Sequence, residues 1–174
     1  MPLAPVNYAQ VAIKWIAILV AACAAGSSAW AEGAQRVPPL SAYQQECSAC
    51  HVAYPPGMLP APSWKRVMGT LGKHYGTDAS LDETSVRAIS TWLQTNAGTS
   101  KRATEEPPQD RITRSQWFVR QHHEVDPQIW KQVAVKSAAN CAACHSGADK
   151  GSFRESEIRF PQGLDVRFRR NWSD

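Results

Sequence analysis

Two stretches decide how this chain is read: Cys47-Ser-Ala-Cys50-His51 and Cys141-Ala-Ala-Cys144-His145. They share one frame, C-x-x-C-H. On a helical turn, positions i, i+3 and i+4 lie on one side. Two thiols so placed can add to the two vinyl groups of a porphyrin, and the imidazole then sits beneath the iron. This is the spacing of a c-type haem attachment site. A four-cysteine zinc site is the main rival, but its cysteine pairs sit much closer together than Cys50 and Cys141 do. Two short disulfides, or a thioredoxin-like redox pair, would leave a histidine after each pair without a role. Two covalent c-type haems are therefore the expected cofactors, held by Cys47, Cys50, Cys141 and Cys144.

The chain has 174 residues and five cysteines, and the fifth, Cys23, lies in an N-terminal segment of different character. Lys14 precedes an apolar run, Trp15–Ala25, and Ala29-Trp30-Ala31 has the small-x-small pattern of a cleavage site. Residues 1–31 read as a secretory signal peptide, which predicts a periplasmic protein. A retained membrane anchor would need an apolar run of roughly 20 residues. Lipid attachment through Cys23 is the other alternative. Removing the segment takes away Lys14 alone, so the formal charge of +4 becomes +3. Two ferric bis-histidine haems with ionised propionates would lower it to about +1. So small a surplus does not argue for nucleic acid or an anionic membrane as partner.

A haem iron has two axial positions, and their occupants decide its use. His51 and His145 fill one each. His74, His122 and His123 are the remaining histidines, and Met58 and Met68 the methionines beyond the leader. His74 follows Trp64, Val67, Met68 and Leu71, which recur at helical spacing. It lies at the edge of that apolar stripe. Met68 sits between Trp64 and Leu71 as a core residue would. Met58 stands in a proline-rich loop seven residues after His51, with little chain to pass round a haem edge. In "SQWFVRQHHEV" (115–125), a helical wheel centred on Trp117, Phe118 and Val119 puts His122 on the apolar side. It puts His123 with Arg120 and Glu124. His122 is the expected ligand of the pair.

The coarse organisation is helical. Capping boxes are expected at Ser41–Gln44 and Ser80–Glu83, with Ser63 capping the helix between them. Val86, Ile89, Trp92 and Leu93 mark an amphipathic helix ending at Gly98. Helices are also expected around Ser115–His123, after Asp126-Pro127, and from Ser137 through the second clamp. The tail from Ser146 has little helical period. These elements predict an all-α fold with extensive loops. It would have a first haem-binding lobe over 32–98, a linker over 99–110 and a second lobe over 111–174. The candidate ligand follows the clamp in the first lobe and precedes it in the second, so the lobes are not a duplication.

The stretches "ECSACHVAYPPGMLPAPSW" (46–64), "SQWFVRQHHEV" (115–125) and "VKSAANCAACH…GSFRESEIRFP" (135–161) resemble the bacterial dihaem cytochrome c family. The resemblance covers about Leu40 to Pro161. It implies two bis-histidine haems, His51 paired with His74 and His145 with His122. His122 matches the single histidine of the family's motif. It also implies electron transfer to redox proteins, among them a small monohaem oxygen-binding c-type cytochrome or a membrane cytochrome. No catalytic residues are expected. The competing functions are a small dihaem peroxidase-like reductase with one open iron, and a haem-based redox or gas sensor. The chain is short for the first and has no output segment for the second.

Overall fold

Four α-helices carry the described part of the chain, residues 37–101 and 103–171 of a computed structural model. They are α1 (Ser41–Cys47), α2 (Ala61–Gly69), α3 (Glu83–Thr95) and α4 (Gln116–Gln121). No β-strand forms among these residues, though isolated antiparallel bridges pair His74 with Thr77 and His145 with Ile158. The expected all-α class holds. The leader and its cleavage site lie outside the described residues.

The helix starts differ from those expected. Neither Ser41 nor Ser80 caps a helix. Leu40 stands at the start of α1 with no side-chain cap, and Asp82 caps α3 by accepting from the Thr84 and Ser85 amides at 2.9 and 3.0 Å. A carboxylate at that position also meets the positive end of the helix dipole. Ser63 is fully buried inside α2, which begins two residues earlier after Pro60. Prolines 60 and 62 supply the fixed φ that a first helical turn accepts. α3 stops at Thr95, and Gly98 is needed for another reason. A β-carbon there would lie 2.1 Å from that of Ala103 and 2.5 Å from the Gly57 carbonyl oxygen.

α1, α2 and α3 close round one apolar cluster: Tyr43, Leu59, Trp64, Met68, Ile89 and Leu93. The polar handles of its aromatics are satisfied by backbone, as burial requires. Trp64 Nε1 donates to the Pro56 carbonyl at 2.7 Å, Trp92 Nε1 to Pro38 at 2.9 Å, and the Tyr43 hydroxyl to Tyr54 at 2.7 Å. These three bonds hold the proline-rich loop after the first clamp and the segment entering α1.

The second half is less helical than its sequence period suggested. Apart from α4 it is built of short 3₁₀ helices, at Ile112–Arg114, Ile129–Lys131, Cys141–Ala143, Ala148–Lys150, Glu155–Glu157 and Val166–Asn171. Asp126 caps no helix; its carboxylate accepts from the Gln128 amide in an Asx turn. Ser137 likewise closes a turn, accepting from Ala139. Its core is small: Ile129, Val135, Leu164 and Phe168, with Phe160 and Trp130 packed against it. Four buried residues cannot support several long helices, since most helix stability comes from packing an apolar face.

The segment that reads as a linker is held at several points from Ala103 to Asp110. Ala103 is buried, Glu105 accepts from the Gln116 amide, and Arg66 of α2 grips Glu106 and Asp110. From Val37 onward the contacts make one unit.

Candidate functional site

The first clamp lies at the exit of α1. Cys47 is the last helical residue, and the chain then turns through 48–50 to an exposed His51. The second clamp stands on the 3₁₀ turn Cys141–Ala143. What fixes it is the chain that follows. The Arg159 amide donates to the Cys144 carbonyl at 2.7 Å and the Ser146 amide to Glu157 at 3.1 Å, so the residues around Ile158 flank His145. Gly147 lets them approach: a β-carbon there would meet Glu157 Oε2 at 2.6 Å. The tail stretch "SFRESEIRF" thus belongs to the second site.

None of the four clamp cysteines is paired in a disulfide. Burial pushes Cys47 and Cys144 up to about 11, with Glu46 adding to the shift at Cys47 and Cys141 adding to it at Cys144. Cys141 is also raised by burial. Half-buried thiols of raised pKa are poor redox catalysts and poor unassisted metal ligands. Among the described residues, no three His, Cys, Asp or Glu side chains gather as a metal cage.

The histidines meet in pairs. His51 and His74 face each other with ring centres 6.2 Å apart and planes 21° from parallel. His122 and His145 have the same 6.2 Å separation with planes at 75°. A metal–imidazole nitrogen bond is about 2 Å long and the ring centre lies about 1 Å further, so two rings on one metal stand about 6 Å apart. Both separations match the span of a single iron. The protonation pattern fits too. His51 Nδ1 lies 2.7 Å from the Val52 carbonyl, and His122 Nδ1 lies 2.9 Å from the Phe118 carbonyl. A carbonyl only accepts, so Nδ1 carries the proton, and in the neutral ring that leaves the Nε2 lone pair for a metal. Burial, with the facing His51 and then Arg111, lowers the His74 pKa; burial and the facing His122 lower that of His145. Both shifts favour the neutral imidazole, the form that ligates. His145 Nδ1 is buried without a hydrogen-bond partner, and its ring is held by the edge of Phe153 instead.

His122 and His123 separate as the wheel expected, for a reason the wheel only half captured. Of its three apolar residues only Phe118 is buried; Val119 is 57 % exposed. His122 stacks on Phe118, ring centres 4.0 Å apart, and meets Trp130 edge-on. The His123 side chain is 70 % exposed and lies beside Glu124. Met68 is buried in the first apolar cluster, and Met58 sits in the 3₁₀ turn Pro56–Met58.

Sequence reasoning missed the aromatic and charged residues that hold these rings. Tyr54 stacks on His51 at 4.9 Å while its hydroxyl donates to the Ala139 carbonyl at 2.7 Å, two residues before Cys141. Tyr75 packs edge-on against His74.

Two C-x-x-C-H clamps in a helical chain, each with a second histidine facing its own, define a c-type cytochrome with two attachment sites. The family model described as "Dihaem cytochrome c" matches residues 43–153. Two solved structures of a dihaem cytochrome c from Rhodobacter sphaeroides are 43 % and 42 % identical, with TM-scores of 0.58 and 0.59. The matches cover 67 % of this chain and 99 % and 98 % of theirs. A dihaem c-type cytochrome from Shewanella baltica is 31 % identical at TM-score 0.62, over 72 % of this chain and 98 % of that one. No curated protein matches. The chain belongs to the dihaem cytochrome c family, and its cofactors are two c-type haems.

Proposed function

We propose that this protein is a periplasmic electron carrier whose two irons are each closed by two histidines, His51 with His74 and His122 with His145. The observation that carries the reading is the common 6.2 Å separation of the two ring pairs, the span of one iron. The lowered pKa of His74 and His145 and the Nδ1 hydrogen bonds of His51 and His122 support it further. The haems supply one-electron chemistry. The chain's residues orient the ligands and set ligand basicity through Nδ1. With both axial positions taken, neither iron has room for a substrate, so the role is transfer between redox proteins. A small monohaem oxygen-binding c-type cytochrome or a membrane cytochrome is the kind of partner expected. Export rests on the leader over residues 1–31, and covalent attachment suits a protein that must keep its cofactors outside the cytoplasm. Among the described residues, no helix is long and apolar enough to cross a membrane.

The test is the spectrum of the unaltered, reduced protein under carbon monoxide. Closed irons leave the Soret band unchanged on rapid mixing, and any carbonyl complex forms only slowly, as an axial ligand departs. Rapid formation of a carbonyl complex would instead favour an enzyme or a gas sensor.

A further inference from the structure

Four non-glycine residues among those described have left-handed backbone, and three of them meet beside His74: Tyr75 (φ 51°), Gln109 (φ 60°) and Asp110 (φ 54°). Such conformations are unfavourable for residues with a β-carbon and persist only where surroundings enforce them. Tyr75 and Gly76 (φ 101°) are the central residues of a tight turn that the Thr77 amide closes on the His74 carbonyl at 3.0 Å. Positive φ at both central positions favours Gly, Asn or Asp. Tyrosine at the first of them is an unfavourable local choice, so the ring must be held from outside the turn.

Three contacts hold it. The Tyr75 hydroxyl lies 3.0 Å from the Asp110 carbonyl and 3.3 Å from that of Gln109. The Arg111 guanidinium covers the ring face at 4.2 Å. Arg66 fixes the far side: its Nε and one terminal nitrogen fork onto the Asp110 carboxylate at 2.9 and 2.6 Å, and the same nitrogen reaches Glu106 at 2.6 Å. A cleft of about 120 Å³ is bounded by His74, Tyr75, Gln109 and Asp110. The segment that reads as a linker is thus fastened over the turn that carries His74.

We propose that Tyr75, Asp110 and Arg66 form a latch that positions His74 and limits how often its imidazole leaves its place. The Tyr75 ring is the moving part. When its hydroxyl lets go of the Asp110 and Gln109 carbonyls, the strained turn relaxes and carries the His74 ring away from His51. Arg66 acts one step back by keeping the two carbonyls where the hydroxyl can reach them. These are positioning residues, and the inference rests on the reading of His74 as an iron ligand.

The experiment is stopped-flow mixing of the reduced holoprotein with saturating carbon monoxide, where the limiting rate reports ligand departure. Tyr75→Phe keeps the ring and the cation–π contact and removes only the hydroxyl. One lost neutral hydrogen bond should raise the rate roughly two- to tenfold. Arg66→Met should raise it too, and Arg66→Lys should restore part of the effect, because lysine keeps the charge but loses the fork. Arg87→Met, which breaks an exposed ion pair with Glu83 elsewhere on the surface, should leave the rate unchanged. The faster phase must be the one that becomes immediate in His74→Ala, with the other haem unaffected. Equal rates in Tyr75→Phe, Arg66→Met and the parent, or no binding in any of them, overturn the latch while leaving His74 as a ligand. If His74→Ala itself opens no iron, the ligand reading fails, and the latch with it.

Discussion

Tyr54→Phe is the most discriminating single substitution for how the two clamps are held together. The Tyr54 hydroxyl joins the first clamp's loop to the Ala139 carbonyl, 85 residues on and just ahead of Cys141. Its ring lies 20° from parallel with the His51 ring, and its carbonyl accepts from Tyr43. Phenylalanine keeps the stacking and the backbone bond and deletes one O–H. A neutral hydrogen bond contributes about 0.5–1.5 kcal/mol net. Ala139 is exposed, so water can replace the lost donor, which places the cost in the lower half, about 0.5–1 kcal/mol. For a domain of this size that is a fall of about 2–4 °C in Tm. Tyr54→Ala also removes a half-buried ring, for about 2 kcal/mol in total. The assay is denaturant unfolding of the holoprotein, followed by far-ultraviolet circular dichroism and by the Soret band. The midpoint should fall with the m-value unchanged. If Tyr54→Phe matches the parent and Tyr54→Ala costs less than about 0.5 kcal/mol, Tyr54 does not tie the clamps together and the reasoning is wrong.

Two further outcomes are expected. His122→Ala should give one high-spin, carbon-monoxide-binding haem, whereas His123→Ala should leave both visible spectra intact; the opposite pattern would reverse the assignment. Asp110 is held below the usual carboxylate range, chiefly by the Arg66 hydrogen bonds. Its contribution is therefore fully present above its unfolded value near 3.8 and is lost as pH falls through the depressed folded value. Asp110→Asn should lower stability at pH 7 and flatten the acid limb below about pH 4, read by unfolding midpoints from pH 2 to 7.

The two c-type haems were the most legible part of the chain, because haem attachment needs cysteines and a histidine at fixed local spacing and the C-x-x-C-H frame occurs twice. The apolar face of α3 was legible for a similar reason: Ile89 and Leu93 recur at helical period, and both are buried. Boundaries were less so. Asp82 and the serine two residues before it are both good caps, and spacing alone does not choose between them. The 3₁₀ turns of the second half were not legible, since Ile129, Trp130 and Val133 suggest a helix until the small size of the core beneath them is known. Val133 is in fact 88 % exposed while Val135 is fully buried. The supports of the histidines were hidden for a deeper reason. Arg66 meets Asp110 across 44 residues and Tyr54 meets Ala139 across 85, distances at which no periodicity operates. The polar, proline-containing stretch over 99–110 reads as a tether because its partners lie so far away in the chain.

The measurement that bears most directly on two closed, bis-histidine irons is low-temperature electron paramagnetic resonance of the fully oxidised protein. The angle between two axial imidazole planes sets the splitting of the iron d orbitals, and the pairs here stand at 21° and 75°. The expected spectrum holds two low-spin ferric signals of equal intensity and unlike shape, one from the near-parallel pair and one from the near-perpendicular pair. A high-spin signal accounting for one iron, or a ligand signature of methionine at either, would contradict the proposed ligation.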